Sequence, residues 1–266
     1  ANPKQVKTEG DYLNGKKSGK WIFYFENGEK AVEINYKEGI KEGPYKEYGP
    51  FGELIVEANY VDNQPDGPFK RFSQTGRIQE SGEYNAGRRV GKWTSYFPDS
   101  NILESEKFYD KSGHKTGTWN YYYENKRVAR VERYENDIPV GKWEEYFPDK
   151  SVSKQVTYDL GVPVGEYIEN HNNGKPSVRG QYENGFRSGI WKSYYPEGKI
   201  YSIGEYKNDL KSGLWKYFNK IGILVAEGKY QLGAEQGQWF YYYDGGQLKS
   251  VGSYLLGQED GMWGLF

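Results

Sequence analysis

The sequence predicts an all-β fold, an elongated antiparallel β-meander of eleven β-hairpin repeats of about 24 residues, forming a twisted, curled sheet or rod. Three observations predict it. A Gly-x-aromatic motif recurs at near-constant spacing. The runs between turn residues span about five to eight residues, too short for helices. Those runs are rich in Tyr, Phe, Trp, Val and Ile, the residues that fit a pleated, half-buried surface. The stretches "GKWTSYFPDS" at 91–100 and "GKWEEYFPDK" at 141–150 show the logic. Gly, Trp, Tyr, Phe and Pro are kept, while Thr94 and Ser95 become Glu144 and Glu145. Fixed aromatics with free polar positions mark a repeated structural unit rather than a duplicated active site.

The motif falls at Gly19/Trp21, Gly43/Tyr45, Gly67/Phe69, Gly91/Trp93, Gly117/Trp119, Gly141/Trp143, Gly165/Tyr167, Gly189/Trp191, Gly213/Trp215, Gly237/Trp239 and Gly261/Trp263. The step is 24 residues, except for 26 between Trp93 and Trp119. All 8 Trp occupy this one position. A second anchor is a Tyr about nine residues earlier, from Tyr12 and Tyr36 through Tyr230 and Tyr254. A third follows the motif by three residues, as Tyr24, Tyr48, Phe72, Tyr96, Tyr122, Tyr146, Tyr194, Phe218 and Tyr242, and is broken by Asn170.

Each unit carries two turn signals. One follows the third anchor, as in Asn27-Gly28 and Asn173-Gly174. The other follows the Tyr anchor, as in Asn14-Gly15, Ala86-Gly87 and Asn184-Gly185. Asn-Gly between aromatic-rich runs is a strong hairpin cue, because both turn residues need positive φ. Two strands per repeat give about 22 strands, and at ~4.8 Å per strand a length on the order of 100 Å. Side-chain alternation sends Trp93 and Phe97 to one face and Tyr96 to the other, so both faces are expected to carry aromatic ladders. Gly10, Gly82, Gly180, Gly204, Gly228 and Gly252 stand two residues before the Tyr anchor. Each leaves a gap that a ring from the next strand can cover.

The unit, read roughly as Y-x-x-G-x-x-x-G-x-W-x-x-Y-x-x-x-G, resembles the MORN-repeat variant family. The clearest matches are "YNAGRRVGKWTSYF" and "YENGFRSGIWKSYYPEG", and the resemblance recurs along the whole chain. It implies an elongated β-meander used for scaffolding and protein interaction. Bacterial members of that family are often labelled antitoxins. The family has no catalytic motif to carry over.

Composition narrows the function classes. A formal charge of −1 argues against general binding to nucleic acid or anionic membranes. No stretch approaches the ~20 apolar residues of a membrane span. Without cysteine there is no disulfide, thiolate nucleophile or zinc–thiolate site. His114 and His171 lie in separate turns with no partners at catalytic or metal-binding spacing, so no enzyme, metal or cofactor is expected. The expected function is a protein-interaction scaffold, a subunit or accessory protein of a bacterial envelope-associated complex. Its partner would be an outer-membrane or periplasmic protein, or a second copy joined through open edge strands near residues 1–12 and 254–266. The alternatives are a glycan- or cell-wall-binding module using an exposed Tyr/Trp stripe, and a cytoplasmic antitoxin masking a toxin. The sequence opens on Ala1 rather than Met, so a preceding segment, a signal peptide or another, is expected to have been removed. The expected location is the periplasm or cell surface, with the cytoplasm as the alternative.

Residues 1–266 are expected to form a single continuous array with an irregular middle at 98–176. There Lys107, Glu132 and Val156 replace the small residue, and extra residues fall within 98–102 and 110–115. The seventh motif weakens to Tyr167 and Asn170. A unique partner needs a unique patch. The candidate partner-binding residues are therefore Asn170, His171 and His114, with Tyr122, Tyr123, Tyr146 and Phe147 as aromatic anchors. The structural anchors are Trp21, Trp93, Trp119, Trp143, Trp191, Trp215, Trp239 and Trp263.

Overall fold

The computed structural model describes residues 6–266, which form antiparallel strands with no helix. Of the edge expected at residues 1–12, residues 1–5 lie outside the described part. The described residues form 24 strands rather than about 22, because two strands of the meander are broken. Gln64–Pro65 stands apart from Gly67–Phe72, and Ile138–Pro139 from Gly141–Tyr146. Pro65 and Pro139 have no N–H to donate to the ladder, and the next N–H groups, of Asp66 and Val140, bond Asn59 and Arg133 carbonyls. The chain divides into two compact units, residues 1–128 with 134–137, and residues 129–133 with 138–266.

Every repeat is made the same way, as Ile200–Lys207 (β19) and Leu210–Phe218 (β20) show. The turn between them is Asn208-Asp209, with φ of 50° and 65°. Ser202 pairs with Tyr217 and Ile203 with Lys216, and then the register slips so that Glu205 pairs with Ser212. The slip is a bulge at Gly213, whose φ of +65° is left-handed and costs an ordinary residue about 1–2 kcal/mol. All eleven motif glycines share this conformation, with φ between 63° and 97°. The first half of the Gly-x-Trp signature is thus a backbone requirement.

The second half is a packing requirement. Trp215 lies flat over the backbone of Gly204, where an added Cβ would come within 2.2 Å of the indole. The same fit holds at Gly10, Gly82, Gly180, Gly228 and Gly252, where a Cβ would sit 2.1–2.4 Å from Trp21, Trp93, Trp191, Trp239 and Trp263. The expectation that a ring covers each gap therefore holds at all six. Where an apolar side chain fills the gap, as at Ile34, Ala58 and Val156, the motif carries a smaller ring, Tyr45, Phe69 and Tyr167, whereas Lys107 and Glu132 are followed by Trp119 and Trp143. The buried indole N–H groups donate to the carbonyl just before the Tyr anchor, at 3.0–3.3 Å in seven repeats. Trp263 makes no such bond. Tyr206 and Tyr230 close edge-on from either side of Trp215, at 5.1 and 6.0 Å. Trp93 is only 1% exposed. A single sheet thereby buries its Trp without a second layer.

The opposite face carries the third anchor opposite an aliphatic neighbour, as in Tyr194 with Ile200, Phe218 with Leu224 and Tyr242 with Leu248. Both faces thus hold aromatic ladders, as alternation predicts. Within each unit the meander is open and uncurled, which corrects the expected curl. With bulk on both faces, neither side is wide enough to force the sheet over the other.

Successive repeats are tied at both rims. The Asp209 N–H donates to the Arg187 carbonyl, and the Asp209 carboxylate accepts from the Arg187 N–H at 2.9 Å. On the other rim the Asn173 amide donates to the Pro196 carbonyl at 2.7 Å, and the Tyr195 hydroxyl to the Phe218 carbonyl at 2.9 Å.

Candidate partner-binding surface

The expected partner residues divide between the units. His114, Tyr122 and Tyr123 lie in the first, and Tyr146, Phe147, Asn170 and His171 in the second. Their polar groups are engaged within the chain. Asn170 ends its strand with its amide donating to the Val152 carbonyl at 2.7 Å and its oxygen accepting from Arg179. His171 Nε2 stands 2.9 Å from the Tyr194 carbonyl, the rim tie that Tyr195 and Tyr243 make elsewhere. His114 is exposed beside Asp110, at 3.4 Å. Asp110 accepts the N–H groups of His114 and Ser112, which hold its carboxyl below the usual range. The Tyr122 hydroxyl donates to Glu106 at 3.0 Å, and burial with that carboxylate pushes its pKa up to about 12. Burial and Glu144 also push Tyr146 up. Tyr123 and Phe147 open rim turns, their N–H groups bonding the Arg127 and Ser151 carbonyls. These residues act first as structural ties.

The irregular middle changes the Trp face. Glu132 sits where a glycine would, buried and paired with Arg130 at 3.0 Å. A cleft of about 140 Å³ there is lined by Arg130, Glu132, Trp143, Glu145 and Lys154. Lys107, at the equivalent place one repeat earlier, aims its ammonium at Trp119, 5.7 Å from the ring centre. Cations cap the ladder elsewhere too, with Arg89 3.9 Å from Trp93 and Lys211 4.5 Å from Trp215. Buried under flanking Tyr and these cations, the Trp rings do not form the exposed stripe that stacking on sugars requires.

The other face differs between the units at one repeat position, the middle residue of Gly-x-Trp. In the first unit that residue is Lys20, Pro44, Pro68, Lys92 or Thr118. Around it run ion pairs such as Lys20–Glu33 at 2.8 Å and Lys46–Glu57 at 3.6 Å. In the second unit the same position is polar in three repeats, as Lys142, Glu166 and Gln238, and apolar in the other three, as Ile190, 56% exposed, Leu214, 48%, and Met262, 94%. Ile203, Phe240 and Val251 stand on the neighbouring row of that face, half-buried. A cleft of about 360 Å³ opens between Leu214, Lys229, Gln236, Gln238 and Phe240. Exposed apolar residues gathered on one face mark an interaction surface. Sequence reasoning missed this row because it followed the fixed letters. Comparing the variable letter of Gly-x-Trp from repeat to repeat would have exposed it.

With the geometry in hand, comparison with known proteins gives the class. The MORN repeat variant model matches residues 17–38, 41–62, 163–184, 187–208 and 235–255. These segments are MORN repeats of the variant type, and MORN repeats are a repeat-based interaction module. No curated protein matches the chain. Among solved structures, the chain is similar to the crystal structure of TcdB2-TccC3-Cdc42, at 10% identity, TM-score 0.17, over 91% of this chain and 16% of that one. It is likewise similar to a mutant Tc holotoxin pore of Photorhabdus luminescens, at 10% identity, TM-score 0.16, over 94% of this chain and 19% of that one. The chain thus spans less than a fifth of the length of either.

Proposed function

We propose that the protein is a non-enzymatic scaffold that holds another protein on its sheet face, as an accessory subunit of a bacterial envelope-associated complex. The exposed Ile190, Leu214 and Met262 on the Gly-x-Trp row, which holds no aliphatic residue in the first unit, carry this reading. The fold gains nothing from an exposed apolar residue where lysine or proline serves the same backbone. Ionisable side chains held in structural pairs, such as Tyr122–Glu106 and Lys216–Glu227 at 3.4 Å, support a role without catalysis. Among the described residues no helix is long and apolar enough to cross a membrane.

Affinity purification of the intact chain from native membranes tests the reading. A partner recovered in fixed proportion, and lost with Leu214→Asp, supports it, and recovery of none sinks it. Location, proposed as the periplasm or cell surface, is tested separately by fractionation with external protease. A wholly cytoplasmic pool overturns that part.

A further inference from the structure

Resting on the scaffold reading, we infer that the sheet face of the second unit binds a protein segment that alternates apolar with acidic residues. The strands that carry it are Phe186–Tyr194 (β18), β19, β20, Leu224–Gln231 (β21) and Ala234–Tyr242 (β22). Cross-strand pairs on this face set an apolar residue beside a charge. Ile190 pairs with Glu205, Lys192 with Ile203, and Leu214 with Lys229.

The charges do not cancel. Glu227 is taken by Lys216 at 3.4 Å, and Glu205 stands 4.0 Å from Lys207. Among the described residues, Lys192 and Lys229 have no ion-pair partner. Two unmatched ammonium groups therefore flank Ile203 and Leu214. They sit three strand spacings apart, about 14 Å across the sheet at ~4.8 Å per strand, and are offset along it from the level of Lys216 to that of Leu214. In the first unit Lys46, which stands where Lys192 does in the repeat, meets Glu57 of the chain itself across the strands. At Lys192 the cation of that pair is kept while Ile203 takes the place of its carboxylate. A ligand that supplies apolar groups to Ile190, Leu214 and Phe240, and carboxylates to Lys192 and Lys229, completes the face. Burial then strengthens the ion pairs, because they leave water together with the apolar contact.

The test uses the intact chain and two labelled synthetic peptides, one alternating leucine with glutamate and one alternating leucine with lysine, read by fluorescence anisotropy. The acidic peptide is expected to bind at least about tenfold more tightly, equivalent to ~1.4 kcal/mol, and to weaken with added salt. The double change Lys192→Glu with Lys229→Glu should reverse the order. Leu214→Asp should abolish binding of both peptides, with an unchanged thermal melt showing that the fold persists. Equal binding of the two peptides, binding of neither, or a dimer that hides this face in sedimentation overturns the inference. A natural partner that co-purifies but ignores the lysine changes defeats the inference alone, whereas recovery of no partner defeats the scaffold reading beneath it.

Discussion

At the scale of single residues, this protein is governed by the fit between a glycine and the indole laid over it. Gly204→Ala places a methyl 2.2 Å from the Trp215 ring, which is buried and flanked by Tyr206 and Tyr230. Overpacking of this kind costs about 1–3 kcal/mol. Urea denaturation should show that loss, and Gly204→Ala combined with Trp215→Tyr should recover part of it, as the natural pairing of Ala58 with Phe69 suggests. An unchanged midpoint for Gly204→Ala would remove the fit from the account. Tyrosines supply a pH dependence. Burial and carboxylate neighbours raise Tyr122 to about 12 and push Tyr45, Tyr167, Tyr230 and Tyr241 higher. An unfolded tyrosine ionises near ~10. The folded state therefore holds these protons more tightly, so stability is full below about pH 10 and falls as pH climbs through the raised values. Absorbance titration should show part of the tyrosine signal appearing late and together with loss of structure. Smooth titration of all tyrosines near pH 10 would contradict it.

At the scale of the hairpin, turns and rim ties set stability. Leu232 opens its turn at φ 52° while 80% exposed, so it has neither the turn preference of Asn nor any burial. Leu232→Asn should stabilise the protein by a few tenths to about 1 kcal/mol, seen as a raised melting temperature. A drop would mean that the leucine is held by contacts in the fold. His171 gives the complementary case. His171→Tyr keeps a group able to reach the Tyr194 carbonyl, as Tyr195 reaches Phe218, and should be nearly neutral. His171→Ala loses that tie and should cost about 0.5–1.5 kcal/mol. Equal melting temperatures for the two variants would show that the tie contributes nothing.

At the scale of the molecule, strands pair with their sequence neighbours, so each repeat supports mainly the next. Trp215→Ala removes a ring packed among Tyr206, Tyr217 and Tyr230 and should cost roughly 3–5 kcal/mol. The damage should stay local. Hydrogen exchange should rise in β19 to β22 and remain unchanged in Lys16–Tyr24 and Lys30–Lys37 of the first unit. Equal rises in both places would mean that the array unfolds as one body.

Sequence alone determined the repeat, because each of its letters answers a local demand. Gly213 is required by a left-handed bulge, Asn184-Gly185 by a turn with two positive φ values, and Gly204 by the ring that covers it. Such demands recur with the backbone, so they surface as a period. What only the tertiary structure decided depends on which side chains meet across strands. His171 and Asn170 looked like free polar groups where the pattern breaks, yet each is bound to the main chain of a neighbouring strand. Strand pairing likewise sets Lys192 beside Ile203 and Lys229 beside Leu214. Spacing along the chain reports the backbone's needs, whereas the character of a face comes from cross-strand neighbours such as Lys192 and Ile203, on different strands, which no local pattern names.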